Sequence, residues 1–268
     1  MLALPRKADA RDGVVGTQRR GKTAVLDSRK RSRALLITAL VVSSLLLLLC
    51  SLMVGSRAIP LSELFAAIFQ GGEAEIENIV WDLRIPRTFL AYFAGAAIAV
   101  SGVIAQSWTR NPLADPGFIG ITAGASFLVA LGTTLGIATS TGARTALALL
   151  GAGLATALVL GVSRRFQDPL TLVLVGAGVA AALSSGAMLI GLYSTDVLDS
   201  MRRWTIGSTF GRGPEDVAIA GAGLLIGFII AARVARPLDL LAMGEESSVA
   251  LGGSPTLARR GAALSIVV

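Results

Sequence analysis

Six stretches of this chain carry no charged side chain: 34–56, 88–109, 117–143, 145–163, 169–195 and 217–232, with a seventh starting at Gly261. A charge at the centre of a bilayer costs at least about 2.5–3.5 kcal/mol, and a helix needs ~20 apolar residues to cross ~30 Å at 1.5 Å per residue. Charge-free intervals of this length, repeated along the chain, predict an all-α fold: a polytopic membrane helix bundle with six complete transmembrane helices plus the start of a seventh. Composition agrees, since 53% of the 268 residues are hydrophobic and 15% are charged, whereas an ordinary soluble domain has about 25% charged.

The ends of these intervals are read from local chemistry. The run Ala34–Val54 exceeds the ~7–15 apolar residues of a secretory signal core and is read as an uncleaved first span. The interval 217–232 is short, with Arg233 and Arg236 able to snorkel at its end and Pro237 expected to stop it. Between the first two spans, 57–87 holds an amphipathic piece from Ile59 to Phe69, which predicts a short interfacial helix. Stretches of small residues, such as Gly120 to Ala125, Gly151-Ala152-Gly153 and Gly176 to Ala182, predict close helix packing.

Histidine is absent, which excludes imidazole metal ligands, His general bases and Ser-His-Asp triads. Cys50 is the single cysteine, so neither an internal disulfide nor a thiolate metal cluster can form. No catalytic residue, metal site or cofactor is expected, and most common enzyme chemistry is excluded with them.

The net charge of +7 is a property of the tail. Residues 1–33 hold ten Lys/Arg against three Asp, and the remainder of the chain holds fourteen charges of each sign. A basic tail before an apolar span predicts a cytoplasmic N-terminus, in a segment expected to be disordered, and no nucleic-acid partner. The later loops carry seven arginines on each side, Arg164 and Arg165 among them, and decide nothing about orientation. Residues 34–268 form the transmembrane domain.

Gly16 to Thr23 fits the G-x-x-x-x-G-K-[ST] pattern of a phosphate-binding loop letter for letter. No buried strand delivers it and no core-facing helix follows it, so a nucleotide role is refused.

Three clusters stand at the ends of spans. Arg84 and Arg87, in Leu83-Arg84-Ile85-Pro86-Arg87, serve either as interfacial anchors or as docking points for carboxylates. Asn111-Pro112-Leu113-Ala114-Asp115-Pro116-Gly117 is a tight interhelical turn, or a constriction at the mouth of a pathway. In 237–252, Leu240, Leu241 and Met243, then Val249, Ala250 and Leu251, suggest two short helices broken at Gly244. Their apolar surface is buried on a cytoplasmic partner or on the bundle itself.

Together these motifs, with Trp204-x-x-Gly207-Ser208 and Met243-Gly244-Glu245-Glu246, resemble the iron-siderophore and cobalamin permease family, the membrane subunits of type II ATP-binding-cassette importers. The resemblance runs from about Ile59 to Val268. It implies that two permease subunits, as a homodimer or an unlike pair in the bacterial cell membrane, form a pathway for a ferric siderophore or a haem- or cobalamin-like chelate. It further implies a cytoplasmic ATP-binding subunit and an extracytoplasmic substrate-binding protein as partners.

On this resemblance Arg84 and Arg87 receive carboxylates of the binding protein, and Asn111, Pro112 and Leu113 match a cytoplasmic gate. Leu240, Met243, Gly244, Glu245, Ala250, Leu251 and Gly252 match the coupling segment seated on the ATPase. The region from Ser194 to Gly213 matches a short external helix and loop. Family members have ten spans, so the chain is expected to end inside the seventh. Two alternatives stand beside this reading: a secondary transporter or channel working without ATP, which calls for charges within the spans, and a non-functional truncated remnant.

Overall fold

The computed structural model describes residues 9–163, 169–192 and 195–268, with side chains described from Arg31 onward except at 118, 163, 169, 170, 195, 196, 200, 201, 203 and 205. Among these residues every regular element is helical. The chain divides into two compact units, 1–77 and 78–268.

The first unit opens with α1 (Asp9–Met53). The look-alike phosphate loop at 16–23 falls within the bounds of this helix, with no strand before it. The apolar stretch Arg31–Met53 is long enough to cross a membrane and has no buried residue. The predicted interfacial helix is α2 (Leu61–Phe69), which buries Leu64 and Ala67 and leaves Phe65 and Phe69 exposed with their rings 4.8 Å apart. After it comes α3 (Ala74–Asn78), whose Glu75 meets Arg57 at 2.8 Å.

The second unit begins with a π-helical turn, Ile79–Arg84, that leads into α4 (Ile85–Thr109). Helix thus runs unbroken from Ala74 to Thr109, well before the charge-free interval begins at 88. A 3₁₀ turn (Pro116–Ile119) precedes α5 (Ile121–Thr134), followed by α6 (Thr141–Ser163), α7 (Pro169–Gly191) and α8 (Thr195–Ile206). The chain ends in α9 (Pro214–Ala242), α10 (Glu245–Ala250) and α11 (Pro255–Val267). Arg164, Arg165 and Ser194 lie outside the described residues.

Five helical stretches are long and apolar enough to cross a membrane. The interval 117–143, expected to be the third of six spans, gives only the 14-residue α5, roughly 21 Å long. Gly120 and Gly136, both at positive φ, set its bounds, because absence of charge does not specify where a helix stops.

Pro237 does not stop α9: it sits inside the helix, which continues to Ala242. One backbone hydrogen bond is lost there, while Leu238 and Leu241 beyond it are buried in the main core. Burial of two leucines, at about 1.5–3 kcal/mol each, outweighs the roughly 3 kcal/mol penalty of the proline. Leu240 and Leu241 therefore belong to the end of a long helix and do not form a short helix of their own.

Packing follows the small residues. A Cβ on Gly124 would strike the carbonyl of Gly151 and the Cβ of Ala155, and one on Gly151 would strike the carbonyl of Gly124. The α5 and α6 backbones touch there, as small residues permit where lipid removes the usual hydrophobic drive. Ser265 Oγ donates to the Gly227 carbonyl at 2.9 Å, a buried link between α11 and α9.

Candidate functional site

The main core gathers one end of the second unit. Ile104, Ala105 and Trp108 near the end of α4 pack with Val234, Leu238 and Leu241 near the end of α9, with Ala258, Ala262, Ala263 and Ile266 of α11, and with Ile119. The loop after α4 and the segment after α9 thus issue from the same core. Arg84 and Arg87 stand at the opposite end of α4, whose 25 residues span roughly 37 Å. The structure brings together the second and third clusters and sets the first apart.

The two arginines differ. Val80, Arg84 and Thr88, four residues apart, form a buried stripe, with Arg84 only 8% exposed, whereas Arg87 lies off the stripe and is exposed. Pro86, in the first turn of α4, removes a backbone donor that would have no partner there in any case. Only Arg87 offers its guanidinium outward in this arrangement.

The loop after α4 is stiff. Arg110 closes the helix in the left-handed region at φ 52°. Asn111 Oδ1 accepts the Leu113 N–H at 2.9 Å, and Asp115 Oδ1 accepts the Gly117 N–H at 2.7 Å. These two Asx turns, with Pro112 and Pro116, hold Leu113 at the tip with 89% of its surface bare. Asn111 and Pro112 are exposed beside it. A rigid loop presenting one apolar side chain suits a constriction that closes by contact with another apolar surface.

Gly244, at φ 110° and ψ 152°, breaks the chain between α9 and α10, as the sequence predicts. Such a conformation is close to glycine-only. Met243, Val249 and Leu251 are exposed, Ala250 and Gly252 with them, while Leu240 is half-buried. Glu245, exposed at the start of α10, is not free: Arg259 Nη2 donates to Oε2 at 2.8 Å and Nη1 to Oε1 at 3.4 Å. Sequence reasoning missed Arg259, fourteen residues away with no pattern linking it to Glu245. It also missed Ser248, which is 1% exposed with an unpartnered hydroxyl.

In the Trp204-x-x-Gly207-Ser208 motif, Gly207 takes φ 68° and Ser208 Oγ accepts the Phe210 N–H at 3.1 Å, a tight turn after α8. Among the described residues no group of His, Cys, Asp and Glu could hold a metal ion.

Long apolar helices with backbone-to-backbone crossings, and polar motifs confined to their ends, define a polytopic α-helical membrane protein. The chain belongs to the FecCD transport family, which it matches over residues 40–268. It is 32% identical over 227 residues to the ferric enterobactin transport system permease protein FepD of Escherichia coli K12, covering 82% of this chain and 67% of the relative. It is 31% identical to the iron(3+)-hydroxamate import system permease protein FhuB of Bacillus subtilis, covering 75% of this chain and 53% of that one. The chain thus spans about half to two thirds of the length of these relatives. A chain from a transporter assigned to the metal-chelate ABC type, in an inward-facing conformation, superposes with a TM-score of 0.67 over 87% of this chain and 74% of its own, at 23% identity. That likeness concerns the fold.

Proposed function

We propose that this chain is a membrane permease subunit of an ATP-driven importer that moves a ferric siderophore, or a chelate of similar build, into the cytoplasm. Two such subunits enclose the pathway across the cell membrane. A separate cytoplasmic ATP-binding subunit hydrolyses ATP, and an extracytoplasmic binding protein delivers the chelate. The substrate class rests on the relatives, and the basic tail supports a cytoplasmic N-terminus.

One observation carries the coupling: the loop bearing Leu113 and the hinged α10 leave the same core, in which the ends of α4, α9 and α11 interlock. A force that displaces α10 is thereby delivered to the root of the Leu113 loop. Closure of the ATPase pair then biases the pathway between two packed states, with Asn111, Pro112 and Leu113 as the cytoplasmic gate. The exposed Met243, Val249, Ala250 and Leu251 supply the apolar contact with the ATPase, and Arg87 pairs with a carboxylate of the binding protein at the other end.

The test is uptake of radioiron-labelled ferric siderophore by proteoliposomes holding the permease, its ATPase and the binding protein. Accumulation that requires ATP and stops with a hydrolysis-deficient ATPase is expected. Equal accumulation with the ATPase omitted would overturn the proposal.

A further inference from the structure

Resting on the permease reading, we propose that Arg259 is a positioning residue that ties α10 to α11, so that Glu245 anchors α10 internally instead of reaching the ATPase. The guanidinium meets the carboxylate fork to fork, at 2.8 and 3.4 Å, a geometry that fixes direction as well as distance. The far end of α10 is closed by a bond within its own turn. The Gly253 N–H donates to the Ser248 carbonyl at 2.7 Å. A Cβ at Gly253 would crowd Ser248 Oγ, its carbonyl and a methyl of Leu240.

α10 joins α9 through Gly244 and also packs beside it, with Leu240 of α9 next to Gly253. The Glu245–Arg259 fork adds a directed route from α10 into α11, which packs on α9 through Ala258, Ala262 and the Ser265–Gly227 hydrogen bond. Met243, Val249 and Leu251 remain free to meet a partner.

Both members of the pair are partly exposed, and exposed pairs add little to global stability. Its effect is therefore on the orientation of α10 and not on the survival of the fold. This separates positioning from a merely structural role.

Hydrogen exchange on the full chain in nanodiscs, without partners, reads the tie directly. Arg259→Gln should speed amide exchange in residues 245–253 by about three- to fivefold with the melting temperature unchanged. The reciprocal double variant E245R/R259E should return exchange towards the parent rate. Unchanged exchange in Arg259→Gln would overturn the proposal.

With the ATPase present, E245Q and R259Q should each keep ATPase retention on an affinity column within about twofold while slowing uptake about fivefold, and E245R/R259E should recover most of the uptake. Loss of retention in E245Q alone, without recovery in the double variant, would make Glu245 a direct ATPase contact and refute the tie. If the parent chain retains no ATPase, the permease reading fails while the exchange result still decides the tie.

Discussion

Arg84 and Arg87 show how far a residue pair can be read from letters alone. Their spacing places both near the entrance of one span, but it is silent on which faces the protein, because burial depends on a stripe shared with Val80 and Thr88 across a π-helical turn. Substituting glutamate should separate the two. Arg87→Glu is expected to weaken capture of the binding protein about three- to tenfold, mainly in association rate by surface plasmon resonance, with normal amounts of permease in the membrane. Arg84→Glu reverses a charge in a buried stripe and should lower the amount of folded protein recovered by size-exclusion chromatography. At the other end, Ser265→Ala removes the hydroxyl that links α11 to Gly227. It should cost about 1 kcal/mol, read as a melting temperature a few degrees lower in detergent.

At the scale of the helix, intervals without charge placed the long apolar helices yet misplaced several of their ends. Charge marks where lipid stops, whereas a helix stops where the backbone meets a glycine in the left-handed region or runs out of burial. Helix therefore continues outward past Arg84, and α9 passes Pro237 because Leu238 and Leu241 have a core to enter. The same logic shortens α5 at Gly120 and Gly136. The small-residue signal was legible in Gly151-Ala152-Gly153, but its partner across the crossing, Gly124, is fixed only by three-dimensional packing. Gly151→Leu should force α5 and α6 apart against a carbonyl that cannot yield, costing about 1–3 kcal/mol or more, and half-aggregation in detergent should fall by several degrees. Gly244→Val tests the break before α10. A β-branched residue at φ 110° is strained by about 1–3 kcal/mol, so uptake should fall while the protein stays folded by circular dichroism.

For the molecule as a whole, the three clusters and their division between two ends were legible through the family resemblance, whereas the core that joins the second and third was not. The intervals 88–109 and 217–232 carry no mark that the last turns of α4 and α9 share a core; only tertiary packing joins them. Conversely, the membrane-spanning character of α1 was plain from the length and apolar composition of Arg31–Met53. Where the backbones of α5 and α6 meet at Gly124 and Gly151, by contrast, each letter is spelled out by the one across from it. Shuffling the residues of that crossing at equal hydropathy should leave no folded protein to measure.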